Sequence, residues 1–154
     1  MPNDSANSPK AGYCTPMLHV KDIGVSIRFY EQIGFTLIDD DGCDPLGWAR
    51  MHCEGGAMAF LRAEEPMDAR AQAIFFYLYT LDLPAYREHL LAKGLTPAPI
   101  KHPPYMPSGE MHIKDPDGYA IFVGHWSEKE QNNWRERLRK RAENQPKPAS
   151  SEDQ

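Results

Sequence analysis

Little in this chain of 154 residues favours membranes, secretion or nucleic acid. Its longest apolar stretch, Ala73 to Leu81, is too short to span a bilayer as a helix. The segment Met1 to Lys10 is polar and holds no apolar h-region, so no signal peptide is expected. Cysteine is scarce. Cys14, Cys43 and Cys53 are odd in number and none stands in a CxxC spacing, which argues against a disulfide framework and points to a reduced, cytoplasmic compartment. Basic residues are outnumbered, 17 against 22 acidic, for a net charge of -5. Bulk electrostatics therefore draws the chain neither to nucleic acid nor to anionic lipid.

What is present is a repeat. Asp22 opens a helical pattern that stops at Gly34, and Asp82 opens another that stops at Gly94. Asp suits an N-cap, because its carboxylate accepts from otherwise unpaired N–H groups. Gly suits the left-handed residue after a helix. Ile23, Ile27 and Tyr30 share one face of the first helix, and Leu83, Tyr86 and Leu90 share one face of the second. A strand precedes each helix, Tyr13 to Val20 and Ala73 to Thr80. Extended segments ending in a hairpin follow each. Glu54-Gly55-Gly56 joins Trp48–Cys53 to Ala57–Arg62, and Asp115-Pro116-Asp117-Gly118 joins Glu110–Lys114 to Tyr119–Gly124. The chain thus reads as an α+β protein with a single domain over 12–126: a βαβββ module at 12–62, a linker at 63–70 and a second βαβββ module at 71–126. Ser127 and Glu130 fit a capping box for a C-terminal helix over 127–145, with Trp134 and Leu138 as its apolar stripe. It either rests solvated on the domain edge or meets a partner subunit. Residues 1–11 and 146–154 read as disordered tails.

The string Met17-Leu-His-Val-Lys-Asp22, followed by Ser26-Ile-Arg-Phe-Tyr30 and Gly34-Phe35, resembles the first module of the vicinal oxygen chelate superfamily, the glyoxalase, bleomycin-resistance and extradiol dioxygenase group. Asp115-Pro-Asp-Gly118 before a strand resembles the end of its second module. The resemblance covers roughly residues 13–126. It implies sheets curled into open cups with helices outside and the ligand inside. Metal-dependent members place a His or Glu ligand on the first and last strand of each module, where the ion polarises substrate oxygens. Matched by position, those four places hold Thr15, Met58, Phe75 and Phe122, which make no transition-metal site. The resemblance therefore points to metal-free, bleomycin-resistance-like members, with no cofactor, and to a homodimer.

Strand alternation sorts the faces. Leu18, Val20, Ala57, Ala59, Ile121 and Val123 belong to the helix side. The cup side takes His19, Met58, Phe60, Phe75, Tyr77, Tyr79 and Phe122, with Trp48 near the rim. These aromatics either line a ligand pocket, where flat or cationic molecules stack, or fill a closed cup. His19, His52, His112 and Glu110 are weak candidates for acid–base chemistry or an unconventional metal site, against an ordinary solvated or hydrogen-bonded role. The stiff loop His102-Pro103-Pro104-Tyr105-Met106-Pro107 either shapes the rim or is merely structural. The leading reading is a binding protein for an aromatic or drug-like small molecule. The alternatives are a glyoxalase- or dioxygenase-type enzyme with a non-standard site, and a structural or regulatory dimer.

Overall fold

The computed structural model describes residues 14–144; the tails expected at 1–11 and 146–154 lie outside them. The elements run β1 (Met17–Val20), α1 (Ile23–Gln32), β2 (Thr36–Asp40), β3 (Trp48–Cys53), β4 (Gly56–Arg62), β5 (Phe75–Thr80), α2 (Leu83–Ala92), β6 (Glu110–Lys114), β7 (Ala120–His125) and α3 (Glu128–Glu143). The fold is α+β with two open sheets and a C-terminal helix. The chain divides into two compact units. Among the described residues, one holds 14–74 together with Lys114–Tyr119, and the other holds Phe75–Ile113 and 120–144.

In the first unit the strands lie in the order β1-β4-β3-β2, with β1 parallel to β4 and the other pairs antiparallel. Asp22 caps α1 by accepting from the Val25 amide at 2.9 Å. Gly34 ends the helix at φ 103°, a conformation that only glycine adopts cheaply, and the Phe35 amide returns to the Tyr30 carbonyl at 2.9 Å. Tyr30 is fully buried and its ring meets Phe60 at 5.0 Å and Phe35 at 5.5 Å. The 114–119 hairpin tip completes this core. Asp115 Oδ1 accepts from the amides of Asp117, Gly118 and Tyr119, each at 2.9 Å, and its Oδ2 accepts from the Tyr30 hydroxyl at 3.0 Å. Burial lifts the Asp115 carboxyl above its ordinary pKa, opposed by the Tyr119 amide and the Tyr30 hydroxyl. Burial, then the charge of Asp115, pushes the Tyr30 hydroxyl far up, so it remains a donor. The first strand is shorter than expected. It begins at Met17, and Thr15 lies before it, beyond Pro16, whose missing N–H cannot join a ladder.

In the second unit the order is β5-β7-β6, with β5 parallel to β7. Asp82 caps α2 by accepting from the Ala85 amide at 3.0 Å, and Gly94 ends it at φ 80°. Leu83 and Leu90 of α2 are fully buried, as are Ile121 and Val123 to within 1%. The two modules differ in one respect. The segment after α2, expected as a strand from Leu95, forms none. It keeps only scattered ladder bonds, from the Ala98 amide to the His112 carbonyl at 2.9 Å and between Lys101 and Glu110 at 2.8 Å. Pro97 and Pro99 lack the N–H groups that a continuous fourth strand would use. Helix α3 is capped by Glu130, which accepts from the Ser127 amide at 2.6 Å. None of its residues is buried, and Trp134 and Leu138 stand 48% and 46% exposed. Among the described residues no helix is long and apolar enough to cross a membrane.

Candidate functional site

Each unit turns one sheet face away from its helix. In the first unit, register decides which side chains reach that face. Cys53 pairs with Gly56 across the two-residue turn, so Met51 stands opposite Met58, Ala49 opposite Phe60 and Trp48 opposite Leu61. Met51 and Ala49 are fully buried on the helix side. Met58 and Phe60 must share that side, and Phe60 packs on Tyr30. Their expected place in the cup is therefore corrected: they are core, and Ala57, Ala59 and Leu61 point to the opposite face, where Ala59 is itself buried. Parallel pairing of Met17 with Ala59 and His19 with Leu61 agrees, since Leu18 and Val20 are the buried pair of β1. Met17, His19, Trp48, Leu61, Arg62 and Tyr119 then line a cleft of about 1020 Å³, to which residues 63–67 and 72–74 also contribute. The Tyr119 hydroxyl donates to the His19 carbonyl at 2.8 Å and fixes the end of β1 there. Arg50 shares the face of Trp48, with its guanidinium carbon 6.0 Å from the indole centre.

In the second unit the expected aromatic row is present. Phe75, Tyr77 and Tyr79 alternate along β5 opposite Ala120, Phe122 and Gly124 of β7. Tyr77 lies parallel to Phe122, 9° apart in plane and 6.2 Å between centres. Phe75 meets Phe122 edge-on at 5.3 Å, and Tyr79 touches both Tyr77 and Trp126 at 5.2 Å. His112, exposed on β6, lies 5.8 Å from Phe122. The row is not covered: Phe75 is 61% and Tyr79 58% exposed. Gly124 makes room for it, because a Cβ there would lie 3.0 Å from the Tyr77 ring and 3.1 Å from the Met106 methyl. At one end of the row sits Glu110, buried, accepting from the Tyr77 hydroxyl on Oε2 and from the Tyr105 hydroxyl on Oε1 at 3.0 Å. Burial and then the Glu110 hydrogen bond raise the Tyr77 pKa, so the hydroxyl stays protonated. The Glu110 hydrogen bond raises that of Tyr105.

Strand alternation alone did not reveal Trp126 or the pairing of Tyr105 with Glu110. Trp126 was within reach of it, since it continues the alternation Phe122, Gly124 by one further step. Tyr105 carried no periodic signal, because it stands at the tip of an irregular loop.

The family resemblance implies metal ligands, where a member has them, at the places held here by Thr15, Met58, Phe75 and Phe122. Phe75 and Phe122 donate nothing, Met58 faces the core, and the opposite face of β4 offers only Ala57, Ala59 and Leu61. The donor set does not fit a transition ion. Among the described residues no three His, Cys, Asp or Glu gather as a metal-binding group.

These faces belong to a known family. The chain is a member of the Glyoxalase/Bleomycin resistance protein/Dioxygenase superfamily, whose model matches residues 12–123. Comparison with curated protein sequences found no match. Among solved structures the chain is similar to the bleomycin resistance determinant encoded on the transposon Tn5, at 19% identity and a TM-score of 0.62, covering 77% of this chain and 99% of that one. It is similar to a bleomycin-binding protein complexed with bleomycin, at 19% identity and a TM-score of 0.61, covering 75% and 98%. A third is TnmS3, an antibiotic binding protein from Streptomyces sp. CB03234, at 20% identity and a TM-score of 0.59, covering 77% and 98%.

Proposed function

We propose that this chain is a metal-free small-molecule-binding protein of the bleomycin-resistance type, which takes a flat aromatic or drug-like ligand and works as a cytoplasmic homodimer. The reading rests above all on the row Phe75, Tyr77, Tyr79 and Phe122, aligned on one sheet face yet left partly in solvent. A monomeric protein gains nothing by exposing rings, whereas a stacking surface needs them open. The solved structures named for bleomycin and antibiotic binding support the same reading, as does the mismatch between the donor set and a metal ion.

A fluorescence titration against a panel of flat aromatic antibiotics and dyes tests it, with Trp126 as the reporter because it touches Tyr79. The expected result is saturable quenching that Trp126→Phe diminishes. Elemental analysis of the same gently purified protein is expected to find no stoichiometric Zn, Fe, Ni or Mn. No binder in the panel, or about one metal per chain, contradicts the proposal.

A further inference from the structure

Glu110 is 7% exposed and opens β6 at the end of the aromatic row. A buried carboxylate is costly unless a cation or several donors compensate it. Here each oxygen receives one tyrosine hydroxyl, from Tyr77 and from Tyr105, and among the described residues no Lys, Arg or His forms an ion pair with it. The two hydroxyls are not alike. Tyr77 belongs to β5 and is stacked on Phe122. Tyr105 is 72% exposed and stands on the loop before β6. That loop is pinned at its base by the Lys101–Glu110 backbone pair at 2.8 Å and by the Met106 amide on the Pro103 carbonyl at 2.9 Å. Its tyrosine therefore has little buried surface to lose by swinging off the carboxylate.

We infer that Glu110 anchors a cationic group of the ligand, an organic ammonium or guanidinium attached to a flat ring, and that Tyr105 is a cover which that group displaces. This rests on the proposed function and adds the sign of the ligand's charge. An ammonium at Oε1 replaces a neutral donor by a charged one, and charge-assisted bonds are the stronger. The ring that carries it then lies along Tyr77 and Phe122, whose π faces also favour nearby positive charge.

Three probes with one ring test the sign: 2-naphthylmethylamine, cationic at neutral pH, 2-naphthylmethanol, uncharged, and 2-naphthoate, anionic. Each is titrated calorimetrically into the full chain. The amine should bind about tenfold more tightly than the alcohol, and the acid most weakly. Glu110→Gln keeps the shape and removes the charge, so the amine's advantage over the alcohol should disappear. Tyr105→Phe keeps the ring and removes the competing hydroxyl, so the amine should tighten by about threefold. If Glu110→Gln does not fold, Tyr105→Phe decides alone, and an amine affinity that stays the same or weakens overturns the inference. If amine and alcohol bind the folded wild type equally, Glu110 is no anchor and the inference fails, while aromatic binding stands. If none of the three probes and no compound of the antibiotic panel binds, both the inference and the proposed function fall.

Discussion

Phe60 and Phe122 are the same amino acid on strands that end the two modules, and they have opposite environments. Phe60 is fully buried against Tyr30, while Phe122 stands on the open face among Phe75, Tyr77 and His112. Truncating the first leaves a cavity in the core, so Phe60→Ala is expected to cost about 3–5 kcal/mol in urea unfolding. The same variant, where it remains folded, should keep the wild-type affinity for an aromatic binder, and a parallel loss of affinity would show that Phe60 reaches the ligand after all. The difference was legible for one residue and not for the other. Alternation counted from Ala73 to Thr80 placed Phe75, Tyr77 and Tyr79 on one side, as their pairing with β7 has it. On β4 a turn of three residues, Glu54-Gly55-Gly56, would set Cys53 opposite Ala57 and turn Met58 and Phe60 to the cup. A two-residue turn at Glu54-Gly55 pairs Cys53 with Gly56, and that single step moves Met58 and Phe60 to the core.

Among the elements, the 114–119 hairpin is the one whose sequence carries the most structure. Asp115-Pro-Asp-Gly was legible as a turn, with Gly118 at φ 99°. Its second task was not, since nothing local to the motif shows that Asp115 also receives the buried Tyr30 hydroxyl. Asp115→Ala would strip the acceptor from three amides and leave that hydroxyl unpaired. Its unfolding free energy should fall by about 2–4 kcal/mol, while Asp115→Asn, which keeps one acceptor oxygen, should lose clearly less. Equal losses in the two variants would mean that the charge, not the hydrogen-bond pattern, holds the hairpin. The helices were legible from their Asp and Gly ends alone, since both caps form as the spacing implies. The missing strand after α2 was legible in principle through Pro97 and Pro99, but the strength of the repeat masked it.

On the scale of the whole molecule, the repeat of helix caps and hairpin signals made the two-module fold legible, and the family was legible only through the resemblance of strings such as Met17–Asp22 and Asp115–Gly118. The cleft of the first unit was not legible, because the irregular segments 63–67 and 72–74 that help line it have no period to read. Open sheet edges and the exposed apolar side chains Met17, Phe75 and Tyr79 suit the proposed homodimer. Light scattering at micromolar concentration should then report about twice the chain mass, and a monomer there would remove that part of the proposal. The aromatic face of β5 and β7 carries the proposed binding. Its most direct test is the dissociation constant of one panel binder measured on the wild type and on Phe122→Ala, with unfolding midpoints taken alongside. Loss of the stacked ring should weaken binding by about tenfold while the protein stays folded. An unchanged constant in a folded Phe122→Ala variant would contradict the account.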